Sequence, residues 1–222
     1  YLANNNSIDR NIGRVLDYLE IDGILDEPLV IYATVNGMFL GEHGWFDKRL
    51  MYEESLKIPF VARYPAEIKP GTVSDKICLN LDFAETFLDY AGIEIPPDMQ
   101  GQSLRAILQG KEPNEWRDSM LYMYYEGLSQ YGVRTERYKL ICYTHESCGP
   151  EGEYELFDLK DDPYELNNVY ENSVYAETRK MLHQELEKLK KRYQVSNEDL
   201  PGPEWIKNNE EKWSERQKKL MI

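Results

Sequence analysis

Residues 30–55 read VIYATVNGMFLGEHGWFDKRLMYEES, with Leu29 just ahead of them. The run LVIYAT is short, apolar and rich in strand-favouring residues, the composition of a strand covered on both faces. Polar and charged residues then take over. Loops just past the C-terminal end of a buried strand are where α/β sheets place ligands, because the loops vary freely over a rigid base. Asn36 and Gly37 occupy that place. Asparagine offers a carbonyl oxygen to a hard cation and glycine lets the backbone turn closely around a ligand, although the same pair is also an ordinary turn signal. Lys48 lies further along the loop with His43, Trp45 and Asp47. Beside a metal, a lysine is a counter-charge for an anionic substrate group; in isolation it is a solvated surface residue. Tyr52 and Glu53 carry groups that can tie the loop down by hydrogen bonding.

Outward from this stretch the chain alternates helix and strand. Ile8, Ile12, Val15, Leu16 and Leu19 fall on one helical face, and Gly23 with the following DEP turn stops that helix. IPFVARYP repeats the strand signal after the loop. Together these predict an α/β sheet. CLNLDFAETFLDYAGI predicts an amphipathic helix with Asp82 as N-cap and Gly92 as its stop. A loop and one short helix come next, in IPPDMQGQSLRAILQGKEP. After Trp116, SMLYMYYEG, YGVRTERYKLICY and EYELFDL are short aromatic runs that predict a small antiparallel sheet. A long helix is expected from about Val174 to Tyr193, and a charged tail after the Pro-Gly break. The domains expected are thus 1–115, 116–196 and the tail 197–222.

With 222 residues, 41% of them hydrophobic, the chain can bury one substantial core or a large and a small one. A net charge of -14 argues against nucleic acid and against an anionic membrane as partners, since both would be repelled. The odd set Cys78, Cys142 and Cys148 has no metal-type spacing; Cys142 and Cys148 flank YTHES and are either a loop bridge or two ordinary thiols. No apolar run approaches a bilayer span and no signal peptide is visible. The opening on Tyr1, directly ahead of a helix, leads us to expect that the natural N-terminus lies upstream.

The order NGMFLGEHGWFDKRLMYEES then IPFVARYP closely resembles the sulfatase family of the alkaline-phosphatase-like superfamily, where an apolar strand leads through Asp-Asn/His-Gly, a GEHG loop, a lysine and YEES to a second strand. The resemblance extends to SIDRNIGRVLDYLE, LDFAETFLDYAGIEIPPDMQGQSL, YGVRTERYKLI and ELFDLKDDPYELNN, and fades only in the tail. It implies the C-terminal part of the main mixed-sheet α/β domain plus a smaller α+β subdomain with an antiparallel sheet and a long helix. It further implies hydrolysis of a sulfate ester by a formylglycine nucleophile beside calcium. Carried over, Asn36 matches a calcium ligand and Lys48 the lysine that contacts the sulfate and the leaving-group oxygen. His43 belongs to the motif as a loop-packing or substrate-side residue.

The match departs from the family pattern in two places. Val35 stands at the family's metal-ligand Asp position and has no side-chain oxygen to donate, so calcium is expected to bind weakly or not at all. No Cys-x-Pro-x-Arg or Ser-x-Pro-x-Arg motif occurs, so the formylglycine nucleophile is absent. The expectation is a C-terminal sulfatase portion, inactive alone and hydrolysing sulfate esters only with the missing N-terminal half; the alternative is a catalytically inactive sulfatase-like binding or scaffold module. A sulfated carbohydrate or aryl sulfate ester is expected as substrate of the full-length parent. Uncovered apolar faces predict self-association or pairing with the missing segment. Aromatics and Arg134 in YMYYEGLSQYGVRTERYK are expected as sheet core more than as a carbohydrate cleft. The family points to a periplasmic, extracellular or lysosomal compartment.

Overall fold

The helix foreseen around Ile8–Leu19 opens the chain, and the elements run α1 (Leu2–Ile21), β1 (Val30–Ala33), α2 (Glu53–Leu56), β2 (Phe60–Arg63), α3 (Asp82–Tyr90), α4 (Arg105–Leu108), β3 (Ser119–Tyr124), β4 (Gln130–Thr135), β5 (Tyr138–Tyr143), β6 (Glu153–Asp158) and α5 (Ala176–Arg192). The structure is a computed structural model that describes residues 1–113, 115–124, 129–144, 148, 152–196, 208, 209, 211, 212, 214 and 215. The charged tail expected over 197–222 therefore falls almost wholly outside the described residues, as do residues 125–128 of the aromatic stretch. Two compact units emerge: Tyr1–Thr34 with Pro59–Glu115, and Val35–Ile58 with Trp116–Ile222.

In the first unit, β1 and β2 form a two-stranded antiparallel sheet, Val30 opposite Arg63 and Ala33 opposite Phe60. The expectation of strands covered on both faces is corrected here: Tyr32 and Val61 face solvent. Each strand has a single hydrogen-bonded neighbour among the described residues, and alternation turns every second side chain outward. Asp82 is not the N-cap of α3 but its first residue, with Leu81 at the cap position. Its buried carboxylate accepts from the Leu79 N–H at 2.7 Å and the Gln102 N–H at 2.9 Å, so it ties the following loop to the helix. Glu85 and Thr86 do the same, accepting from the N–H of Gly101 and Leu104. Gly92, at φ 68, ends α3 as foreseen, with the Ile93 N–H closing on the Leu88 carbonyl.

The second unit is built on the antiparallel meander β3-β4-β5-β6. Its register places Leu121 opposite Val133, Val133 opposite Leu140, and Leu140 opposite Leu156. Strand alternation gives the sheet two different faces. One carries Val133, Leu140, Cys142 and Leu156, and on it Leu182, Leu186 and Leu189 of α5 are buried at helical spacing. On the other, Ile141 and Phe157 pack with Phe39, Leu50, Met51 and Tyr52, which come from the loop between β1 and β2. Tyr131 lies in the core, as the sheet reading of the aromatics expects. Cys142 is a buried thiol and Cys148 a half-buried one; both are free, so no bridge closes that loop.

Candidate functional site

The loop between β1 and β2 is fixed by its two apolar ends. Phe39 and Met51 are fully buried and Leu50 and Tyr52 nearly so, which leaves residues 40–49 as an excursion between two anchors. Gly41 at φ 129, His43 at φ 53 and Gly44 at φ 75 turn the chain through a single 3₁₀ turn over Glu42–Gly44. The Phe39 N–H donates to the Asp47 carbonyl at 2.7 Å and closes the base of the excursion.

Each expected site residue is placed by this loop. Val35 is 82% exposed. The Asn36 amide donates through Nδ2 to the Gly37 carbonyl at 2.5 Å, which makes Oδ1 its acceptor end. Gly37 is required for a reason no local pattern reveals: a Cβ there would lie 2.0 Å from the Glu54 carbonyl oxygen. Its N–H donates to the Ser55 carbonyl at 2.7 Å, and Ser55 Oγ donates to the Lys48 carbonyl. Thus α2 ties the Asn36–Gly37 corner and Lys48 to the same turn. The Lys48 side chain is exposed and forms no ion pair among the described residues, whereas neighbouring Asp47 pairs with Arg49 at 3.2 Å. Glu42 turns back to accept from the Leu40 N–H at 2.6 Å, and that bond holds its carboxyl below the usual range. His43 is drawn inward: its ring stacks on Tyr52 with centroids 4.2 Å apart, meets Phe39 edge-on at 6.0 Å, and places Nε2 3.5 Å from Glu54 Oε2.

Beneath the loop lies a polar clamp. Lys139 projects from β5 on the loop-facing side and is entirely buried, with Nζ 2.9 Å from Glu53 Oε1 and 2.6 Å from Glu165 Oε1. Arg134 of β4 reaches Glu53 Oε2 at 3.1 Å, and the Glu53 N–H donates to Glu165 Oε2 at 2.6 Å. Burial pushes the Glu53 carboxyl up, but the Lys139 charge and the Arg134 hydrogen bonds outweigh it and hold it at about 2. Burial raises the Glu165 carboxyl against the pull of Lys139. Tyr52 donates to Glu155 Oε2 at 2.8 Å, and Gln130 takes the Met51 N–H on Oε1 while donating to the Arg49 carbonyl, both at 2.9 Å. A buried lysine is tolerable only with such counter-charges. Sequence reasoning anticipates the anchoring role of Tyr52 and Glu53 but misses Lys139, Glu165, Glu155 and Gln130. The one available signal is a lysine inside the strand run YKLICY.

The residues present do not by themselves make a calcium site. Among the described residues no group of three or more His, Cys, Asp or Glu could hold a metal ion, Val35 has no donor, and Asn36 brings one neutral oxygen. No described helix is long and apolar enough to cross a membrane.

A loop bearing Asn36 and Lys48, clamped to an antiparallel sheet with a helix on its far side, defines a class that comparison with known proteins identifies. Residues 41–192 match the family described as N-sulphoglucosamine sulphohydrolase, C-terminal. The chain is 45% identical over 207 residues to an N-acetylglucosamine-6-O-sulfatase of Bacteroides thetaiotaomicron, covering 90% of this chain and 36% of that protein. It is 31% identical over 215 residues to an arylsulfatase of Clostridium perfringens, covering 91% and 42%. A solved structure of a protein in complex with its substrate D-glucosamine-2-N,6-O-disulfate superposes with a TM-score of 0.85 at 45% identity, over 90% of this chain and 41% of that one. A phosphonate monoester hydrolase of Agrobacterium radiobacter, at 24% identity and a TM-score of 0.72, shares the fold. The chain belongs to the sulfatase family of the alkaline-phosphatase-like superfamily and corresponds to the C-terminal portion of a sulfatase. It spans well under half the length of these relatives.

Proposed function

We propose that this chain supplies the lysine-bearing loop of a sulfatase active site and hydrolyses sulfate esters only together with the segment that carries the nucleophile. The observation that supports this most is Lys48: an exposed ammonium without an ion pair among the described residues, on a loop whose backbone is held by Ser55 and whose base is clamped through Glu53 to Lys139. A cation so placed can meet a sulfate oxygen and stabilise charge on the leaving-group oxygen. His43, stacked on Tyr52, keeps the loop in shape and lies on the substrate side through its neighbours. Asn36 Oδ1 would join a calcium shell completed elsewhere. Calcium and formylglycine, which the family resemblance implies, would have to come with residues outside this chain. The relatives' names support a sulfated carbohydrate as the substrate class. The divisions 1–115 and 116–196 are retained as halves of the larger sulfatase architecture, and the uncovered faces of α1 and β2 are the surfaces on which the missing segment would pack.

The test is co-expression of this chain with the N-terminal half of the Bacteroides relative. Hydrolysis of N-acetylglucosamine 6-sulfate by the pair, strengthened by Val35→Asp and abolished by Lys48→Ala, is the expected result; the isolated chain should turn over no aryl sulfate. Turnover by the pure isolated chain, or a pair indifferent to Lys48→Ala, would overturn the reading. Val35 itself favours a second reading, an inactive sulfatase-like binding module, which a folded but inactive pair carrying Val35→Asp would support.

A further inference from the structure

Within residues 35–46 the loop exposes Val35, Met38, Leu40, Trp45 and Phe46, with Trp45 43% and Phe46 74% accessible. Single exposed apolar residues are ordinary, but two adjacent aromatics beside other apolar side chains on a loop this firmly anchored form a patch that asks for an occupant. Phe39 and Leu50–Tyr52 are buried at its two ends, and the Trp45 N–H is held by the Glu42 carbonyl at 2.9 Å. The Phe46 ring lies over Gly41, where an added Cβ would sit 3.7 Å from Cζ, so the ring rests on bare backbone. Two residues on stands Lys48, whose charge no described carboxylate takes up, because Asp47 is engaged by Arg49 and Glu42 by the Leu40 N–H.

We infer that Trp45 and Phe46 form a platform for the apolar C–H face of a sulfated sugar whose sulfate is held by Lys48. The inference rests on the sulfatase reading of this loop and adds to it the residues that recognise the sugar rather than the sulfate. Aromatic rings offer a flat apolar face with little entropy to lose, which suits the C–H face of a pyranose, while an ammonium without an ion pair selects an anionic substituent on the same ring. An aryl sulfate would use the same two surfaces, but an unsulfated sugar would lose the charge contact and inorganic sulfate the platform.

The experiment is saturation-transfer difference NMR on this chain with three probes at millimolar concentration: N-acetylglucosamine 6-sulfate, N-acetylglucosamine and sodium sulfate, the last read by competition. The sulfated sugar should receive saturation at its ring C–H protons, and the Trp45→Ala and Phe46→Ala variants should each weaken binding by about fivefold or more. Lys48→Ala should erase the preference for the sulfated over the unsulfated sugar. Trp45→Tyr, which keeps a ring, should retain binding and guards against a folding artefact. No transfer to the sulfated sugar in the unaltered chain would overturn the inference. So would unchanged binding in a folded Trp45→Ala/Phe46→Ala double variant, or an effect of that variant on self-association alone. Binding that depends on Lys48 but not on the two aromatics would sink the platform and leave the sulfatase reading intact, whereas failure of turnover in the co-expressed pair would do the reverse.

Discussion

In α1 the apolar residues Leu2, Ile8, Val15, Tyr18 and Ile21 are all exposed, and none of that helix is buried; in α5 Leu182, Leu186 and Leu189 are buried almost completely. Both helices carry an apolar face at the same spacing. What differs is the partner: α5 has a four-stranded sheet with Val133, Leu140 and Leu156 waiting on one side, whereas the first unit offers only a two-stranded ribbon. Periodicity therefore specifies which face of a helix seeks cover, and the rest of the chain decides whether cover exists. The second unit goes further, because its sheet uses both faces, one for α5 and one for the motif loop. The part of the chain that carries Lys48 is the part that completes its own core.

That contrast can be broken most severely at the clamp. Lys139→Met strands the Glu53 and Glu165 carboxylates in the interior, and we expect the second unit to lose about 3–5 kcal/mol in urea unfolding. Restoring charge balance with Glu53→Gln and Glu165→Gln in the same chain should recover much of it. Next comes the helix comparison: Leu186→Ala should destabilise the second unit by about 2–5 kcal/mol, while Val15→Ala in α1 should change stability by no more than about 0.5 kcal/mol. Equal losses at the two sites would show that α1 finds cover after all.

Acid should sharpen the same difference. Glu53 titrates at about 2 in the folded chain against an ordinary 4.5, so its contribution is present above 4.5 and is lost as pH falls from there toward 2. Glu165 is raised, so its contribution has the opposite sign: it is present below 4.5 and is lost as pH rises through its raised value. Melting of the second unit, followed by its near-ultraviolet circular dichroism, should thus weaken toward pH 2, and Glu53→Gln should flatten that limb of the curve. The smallest effect expected is at the corner of the loop. Val35→Asp places a carboxylate beside Asn36, and titration calorimetry should detect a weak gain in calcium binding that the unaltered chain lacks.

Most element types and their order are legible in the sequence, because spacing, caps and turn residues are local signals. Gly92 stops α3, and the aromatic runs after Trp116 form the meander. Asp82 sits one step from its expected place: an acidic residue ahead of an apolar helix looks like a cap, and nothing local says that its carboxylate is used by Gln102 instead. The strands around Val30 and Phe60 look buried because their composition is, yet burial depends on neighbours that composition does not count. Within the loop, Asn36, His43 and Lys48 stand out by their order, but Gly37, which looks like room for a ligand, is room for the Glu54 carbonyl. Lys139 is invisible in the sequence for the plainest reason. Its partners Glu53 and Glu165 lie far from it along the chain, and a lysine in a strand ordinarily points to water.

Amide hydrogen exchange resolved along the chain tests most directly whether the loop is fixed by the sheet beneath it. The N–H groups of Gly37, Phe39, Met51 and Glu53 donate respectively to Ser55, Asp47, Gln130 and Glu165, so they should be strongly protected, and Lys139→Met should release Glu53 first. Exchange at those four positions as fast as in an unfolded chain would mean that the loop bearing Lys48 is not held in place, and that the clamp does not position it.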